Sequence, residues 1–391
     1  MTPNKIRYTE PADLDCSISL IARLHDILET KEYTNNKWTL KFENSFRETF
    51  NLKGQCIAVN GCQNGLFLTL VALGVHRPLL PDFTFSATAH AAYYACRDFK
   101  VGDCDPGTFN LEPKGKPECD AIMATHIFGN PAASSQIQEV ADELGNLPVI
   151  YDAAHAIGAT YKGTSIGDLG TASVFSLSPT KALTACEGGM IVTQNQCLAD
   201  KLKKLRNYGN EPDYDCKYPG NNGRLSELHS IIGLESLDNF KENFRKRISL
   251  AEEYQSFLPP EMLQQPNPDG THAYKDFAIL LGSKREKVCK ALSEKQIEYR
   301  QYFRPISALS CYEGWQAPQP NARAVFNSIL QLPLHPNLES EDIRRICKVV
   351  MSIIGEDVQG RGEGYVHGLA STVQHADSLS VSVKGVGPSR G

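Results

Sequence analysis

Six short apolar runs punctuate the first half of the chain: CIAV (56–59), FKVG (99–102), AIMAT (121–125), PVIY (148–151), SVFS (173–176) and MIVT (190–193). Each is nearly continuous rather than alternating, the pattern of strands covered on both faces. Between several of them lie stretches of helical character: GLFLTLVALG (65–74), ATAHAAYYAC (87–96) and SSQIQEVADELG (134–145). Strand, helix, strand in succession over about 140 residues predicts an α/β domain with a largely parallel sheet. After residue 170 the spacing tightens, and two runs are separated by little more than one loop. At least one strand there is compatible with an antiparallel course.

From Arg224 to about Leu258 the pattern changes. Leu225, Leu228, Ile231, Ile232, Leu237, Phe240, Phe244, Ile248 and Ala251 recur mostly at three- and four-residue steps. That spacing predicts one long or kinked amphipathic helix leading out of the first domain, ended by Pro259 and Pro260. A strand-like AYKDFAILL (273–281) and helix-like KREKVCKALSEK (284–295) and SEDIRRICKVVMSII (340–354) then predict a smaller α+β unit. The expected organisation is a large domain over residues 1–245, a small one over 246–354 and a tail over 355–391. Eight glycines in the tail's 37 residues mark it as a flexible extension.

Composition narrows the class. The 391 residues are 41% hydrophobic and 22% charged, ordinary for a globular protein. A net charge of −5 gives no electrostatic reason to expect nucleic acid or an anionic membrane as partner. No apolar run approaches the roughly 20 residues of a membrane helix. The opening MTPNKIRYTEPADLD lacks the apolar core of a secretory signal. The 12 cysteines are scattered, without CxxC or zinc-like spacing, and read as reduced thiols with no metal site. A cytoplasmic protein is the expectation.

The candidate chemistry centres on Lys181. It lies in FSLSPTKALTACEGGMIVT, about thirty residues after Asp152, which closes the strand PVIY. An amine among small and apolar neighbours has its charged form disfavoured, as a Schiff-base lysine requires. Side chains at the carboxyl end of a strand in an open α/β sheet point into the ligand crevice. There Asp152 suits the ring nitrogen of pyridoxal phosphate, a cofactor that needs both an amine and a carboxylate. The competing readings are a solvated surface lysine and an aspartate capping a helix over AAHAIGA. His155, three residues on, is a candidate to pack over the cofactor ring or contact its 3-oxygen, or else a buried structural histidine. Ser176 and Ser178 are candidate hydroxyl donors to a phosphate.

Together YDAAHAIGA, FSLSPTKALTACEGGMIVT, RNYG (206–209) and GNNGRLSELHSIIGLESL (220–237) resemble the DegT/DnrJ/EryC1/StrS aminotransferases. VNGCQNGLFLTLVALG, LPDFTFSATAHAAYYA, DCDPGTFNLEP, HIFGNPA, QYFRPI and LQLPLHPNLESEDI follow the family's order, extending the resemblance over residues 30–354. It implies an aspartate-aminotransferase-like fold type I, with a mostly parallel seven-stranded sheet and a smaller C-terminal α+β domain. It implies Lys181 as the Schiff-base position, Asp152 as the pyridinium partner and His155 against the ring or its 3-hydroxyl. It further implies Ser176 on the phosphate, Phe85 stacked on the cofactor, and backbone amides at Cys62 and Gln63 around the phosphate. Asn222 falls on the asparagine that reaches the neighbouring subunit's cofactor, implying a homodimer with shared sites.

Three departures stand out: Gln63 replaces the usual threonine, Cys186 a glycine before E-G-G, and Gly223 a common aromatic. The stretch GVHRPLL is also shorter than the family's. The implied activity is transfer of an amino group from an amino acid, expected to be L-glutamate, to a nucleotide-linked keto-6-deoxyhexose. A keto-cyclitol acceptor and a non-catalytic cofactor-binding sensor are the alternatives. A dehydratase is disfavoured, because relatives with that chemistry replace the lysine with histidine. Tyr299, Tyr302 and Arg304 are placed by position in the loop that meets the acceptor, and Arg224 near Asn222.

Overall fold

The computed structural model describes residues 5–11, 17–211, 213 and 215–355; the predicted tail beyond 355 lies outside them. A seven-stranded sheet organises the first part. Its strands are β1 (Gln55–Val59), β2 (Pro78–Pro81), β3 (Lys100–Gly102), β4 (Ala121–Thr125), β5 (Val149–Asp152), β8 (Ala172–Ser176) and β9 (Gly189–Thr193). They lie in the order β1-β9-β8-β5-β4-β2-β3. All pairings are parallel except those of β9, which runs antiparallel to both β1 and β8. The tight spacing after residue 170 has this cause: an antiparallel neighbour needs no crossover helix.

Six of the seven strands match the apolar runs. The seventh, β2, is PLLP, fully buried between β4 and β3. Two prolines around two leucines do not read as a central strand, since proline cannot donate to a ladder. Here they occupy the two ends of a four-residue strand, paired through Pro78↔Ala121 and Pro81↔Gly102.

Helices α3 (Cys62–Leu73), α4 (Ser86–Cys96), α5 (Ser134–Glu143) and α6 (Gln196–Leu205) follow strands. One face of the sheet buries Ile57, Val59, Met123, Ile150, Val174 and Ile191 against α3, α4 and α6. On another side Phe42, Phe46, Phe175, Met190, Val192, Leu234 and Leu237 form a second core. Helices α1 (Ile18–Thr30) and α2 (Lys37–Thr49) pack on the long α7 (Glu227–Phe257). The 31 residues of α7 form a single helix, capped by the Ser226 hydroxyl, which accepts from the amide of His229 at 3.2 Å.

The C-terminal half of α7 enters a separate core with α8 (Arg285–Glu294), α10 (Ser340–Gly355) and the antiparallel pair β11 (Phe277–Leu280) and β12 (Ile329–Leu332). Ile6 belongs to this core and makes a parallel bridge with Ile297. We propose a division within α7 near residue 245, with the N-terminal residues 5–8 assigned to the second unit because they pack there. Helix α9 (Pro320–Ser328) and the small strands β6 (Thr160–Tyr161), β7 (Thr164–Ser165) and β10 (Gly270–Thr271) complete the elements. No helix among the described residues is long and apolar enough to cross a membrane.

Candidate active site

A cavity of about 460 Å3 opens where the carboxyl ends of the central strands meet the second unit. Its walls include Cys62, Gln63, Phe85, Asp152, His155, Ser176 and Lys181, seven of the eight residues that the resemblance implies around the cofactor. Strand ends supply Asp152 from β5 and Ser176 from β8. Lys181 comes from the loop between β8 and β9, anchored by its amide to the Ser178 carbonyl at 3.0 Å.

No helix follows Asp152, which excludes the capping reading. The chain turns instead, and Asp152 Oδ1 accepts from the amide of Ala154 at 3.1 Å. Its Oδ2 accepts from the Thr88 hydroxyl at 2.7 Å. Burial pushes the carboxyl upward, while Thr88, the Ala154 amide and the Lys181 amine pull against it. The Cys62 thiol lies 3.9 Å from Oδ1, kept neutral by burial and by that carboxylate. Lys181 is partly exposed to the cavity. Burial, then repulsion from the Lys275 ammonium, lowers its pKa to about 8.

His155 is buried, and burial holds its pKa well below the ordinary value, with Lys181 and Lys275 adding to the effect. Its Nδ1 accepts from the amide of Phe128 at 3.2 Å, which places the proton of the neutral ring on Nε2. Phe128 sits in the left-handed region at φ 57°. The imidazole is nearly parallel to Phe128 and Phe303, at interplanar angles of 11° and 12°.

At the other end stand the hydroxyls of Ser176, Ser178 and Thr180, the first two 3.3 Å apart. The N-terminus of α3 opens beside them. Its cap, Gly61, offers no side-chain acceptor to the first-turn amides. Those N–H groups are free for an anion. Strand β9 passes so close that a Cβ on Gly189 would lie 2.8 Å from the amide nitrogen of Cys62. A buried carboxylate, a lysine amine of lowered pKa and an anion cradle in one cavity fit pyridoxal phosphate.

The second unit adds groups that the sequence reading missed. Lys275 and Asp276 are both buried, with Lys275 Nζ donating to Asp276 Oδ1 at 2.7 Å. The same oxygen accepts from the hydroxyls of Tyr8 at 2.5 Å and Tyr302 at 3.1 Å; Oδ2 is buried with no partner. Two opposite charges opening an apolar strand, KDFAILL, were the available signal. Arg300 lines the cavity and lies over the ring of Tyr8 at 5.0 Å. Of the residues placed by position near the acceptor, Tyr302 lines the cavity, whereas Tyr299 and Arg304 do not, and Arg224 lies beside Asn222 as expected.

Asn222 is exposed and stays outside the cavity of its own chain; its Oδ1 accepts from Arg224 Nε at 3.2 Å. Cys186 adopts φ 65°, a left-handed conformation. That accounts for the resemblance of this position to a glycine site.

Comparison with known proteins agrees with this geometry. The GDP-perosamine synthase of Caulobacter vibrioides is 31% identical over 337 residues, spanning 81% of this chain and 90% of the relative. The spore coat polysaccharide biosynthesis protein SpsC of Bacillus subtilis is 28% identical, over 87% and 97% of the two chains. Among solved structures, DesI in the presence of its TDP-sugar product superposes with a TM-score of 0.83 at 27% identity, over 96% of both chains. S. venezuelae DesV gives 0.83 at 25% identity, over 92% of this chain and all of its own. The architecture is therefore the fold type I of pyridoxal phosphate enzymes. The model of the DegT/DnrJ/EryC1/StrS aminotransferase family matches residues 17–351, so the chain belongs to that family and is a pyridoxal phosphate-dependent aminotransferase.

Proposed function

We propose that the enzyme moves an amino group from L-glutamate to a nucleotide-linked keto-6-deoxyhexose. Lys181 and Asp152 facing one cavity carry the reading. The names of a GDP-perosamine synthase and of DesI with its TDP-sugar product support the acceptor class. When bound, pyridoxal phosphate supplies an aldehyde that joins amines and a protonated ring that takes up electrons released at the donor's α-carbon.

The chain's own residues would do the rest. The α3 amides at Cys62 and Gln63, with the Ser176 and Ser178 hydroxyls, would bind the phosphate. Phe85 would cover one ring face, and the Nε2–H of His155 would donate to the 3-oxygen. Asp152 would hold the proton on the ring nitrogen. Lys181, with a pKa near 8, is neutral in part at working pH, so its Nζ is suited to accept the proton leaving the α-carbon and to return it. Support for a homodimer comes from the exposed Asn222, which is not among the residues lining its own chain's cavity. The exposed Ile18, Ile21, Leu24 and Leu28 on α1 point the same way.

Purified enzyme should show the visible absorption of lysine-bound cofactor, and borohydride should fix the cofactor to wild type but not to Lys181→Ala. L-Glutamate should bleach the band, and a panel of nucleotide keto-sugars should restore it. Restoration by keto-cyclitols alone would overturn the acceptor assignment.

A further inference from the structure

Lys275 has no part in the arrangement above, yet its side chain is buried and lines the same cavity as Lys181. Its charge acts on both Lys181 and His155. An ammonium has three N–H donors. One goes to Asp276 Oδ1, and no other acceptor meets Lys275 among the described residues. Asp276 cannot turn away to serve another group, because the same oxygen also holds the hydroxyls of Tyr8 and Tyr302. Burying such a cation with donors unused is unfavourable unless a ligand completes it.

The reaction defines which ligand reaches this point. The donor's amino group must arrive at the Lys181 amine, and in any α-amino acid the carboxylate hangs from the same carbon. It therefore enters the cavity within a few bonds of Lys181, where Lys275 and Arg300 are the other cations of the wall and Lys275 is the buried one. The end built from hydroxyls and helix amides would be taken by the cofactor's phosphate. We propose that Lys275 is the seat of the amino donor's α-carboxylate, pre-positioned by the Asp276–Tyr8–Tyr302 cluster. The inference rests on the aminotransferase reading above. It assigns the donor side of the site to the second unit and the N-terminal segment.

The test compares L-glutamate with 4-aminobutyrate, which keeps the amine and distal carboxylate but lacks the α-carboxylate. Both are titrated into holoenzyme, with binding read by calorimetry and the donor reaction by loss of the visible band. A charge-assisted hydrogen bond predicts that Lys275→Met weakens L-glutamate by about 10–100-fold. 4-Aminobutyrate should change by no more than about twofold, and Lys275→Arg should restore part of the loss. Equal losses for both ligands, or none for either, would overturn the assignment.

A second measurement needs no variant. Wild type should bind L-glutamate at least about tenfold more tightly than 4-aminobutyrate, and equal affinities would also refute the proposal. If wild type holds cofactor but responds to no amino acid at all, the donor reading of the whole site fails instead, a different result from either.

Discussion

Replacing Lys181 by methionine should stabilise the cofactor-free protein. The amine's pKa falls from 10.5 to about 8 on folding. At pH 7 the fold therefore holds a charge at a penalty of about 3 kcal/mol, at about 1.4 kcal/mol per pKa unit. Water reaching the amine through the open cavity makes this figure a ceiling. The sign follows from the lowered folded pKa. Between pH 8 and 10.5 the unfolded chain binds more protons than the folded one, so wild-type stability rises with pH through that window. The penalty is complete below pH 8.

The advantage of Lys181→Met should shrink from about 3 kcal/mol at pH 7 to about 1.5 kcal/mol at pH 9.5. Titrating groups away from the cavity cancel in the comparison. Urea denaturation of both apoproteins at one fixed protein concentration reads it directly. A variant less stable than wild type at pH 7, or a gap that does not change with pH, refutes the reasoning. Loss of activity with a gain in stability would mark Lys181 as a strained functional group.

Three further perturbations test other parts of the structure. Asp152→Asn removes the charge at the ring nitrogen and should lower kcat by about 100–1000-fold with cofactor still bound; near-wild-type turnover in a steady-state assay would remove Asp152 from the mechanism. Glu43 accepts from the amide of Ala58 at 2.8 Å and pairs with the buried Arg206, whose guanidinium also donates to the Ala58 carbonyl. Glu43→Gln strands that cation and should cost about 3–5 kcal/mol in denaturant unfolding, with a loss below about 1 kcal/mol counting against a buried pair. Cys186→Gly relieves a left-handed side-chain residue while keeping the amide that donates to Thr184 Oγ1, and should add about 1 kcal/mol of stability. An unchanged or lower melting temperature would show that the thiol's contacts outweigh the backbone strain.

Much of the sheet and one half of the site could be read from the chain, for a local reason. Buried parallel strands need continuous apolar runs, and a strand's end fixes where the next side chain points. Asp152, His155, Ser176 and Lys181 thus inherited their places from β5 and β8. Strand β2 was hidden because its pairing compensates for prolines that speak against a strand. Thr88 looked like one residue of an alanine-rich helix until its hydroxyl was found on Asp152, 64 positions away.

The other half of the site depends on tertiary structure. Tyr8 meets Asp276 across 268 positions, bringing an N-terminal residue to the loop that leads into β11. No periodicity encodes such a contact, because it exists only once α7 has placed the two units against each other. The sequence by itself determined the parallel sheet, the reactive lysine and its aspartate, since these follow from short-range pattern and strand-end geometry. Only the tertiary structure decided the Lys275–Asp276–Tyr8–Tyr302 wall and the neutral state of His155. Burial and the meeting of distant charges set both.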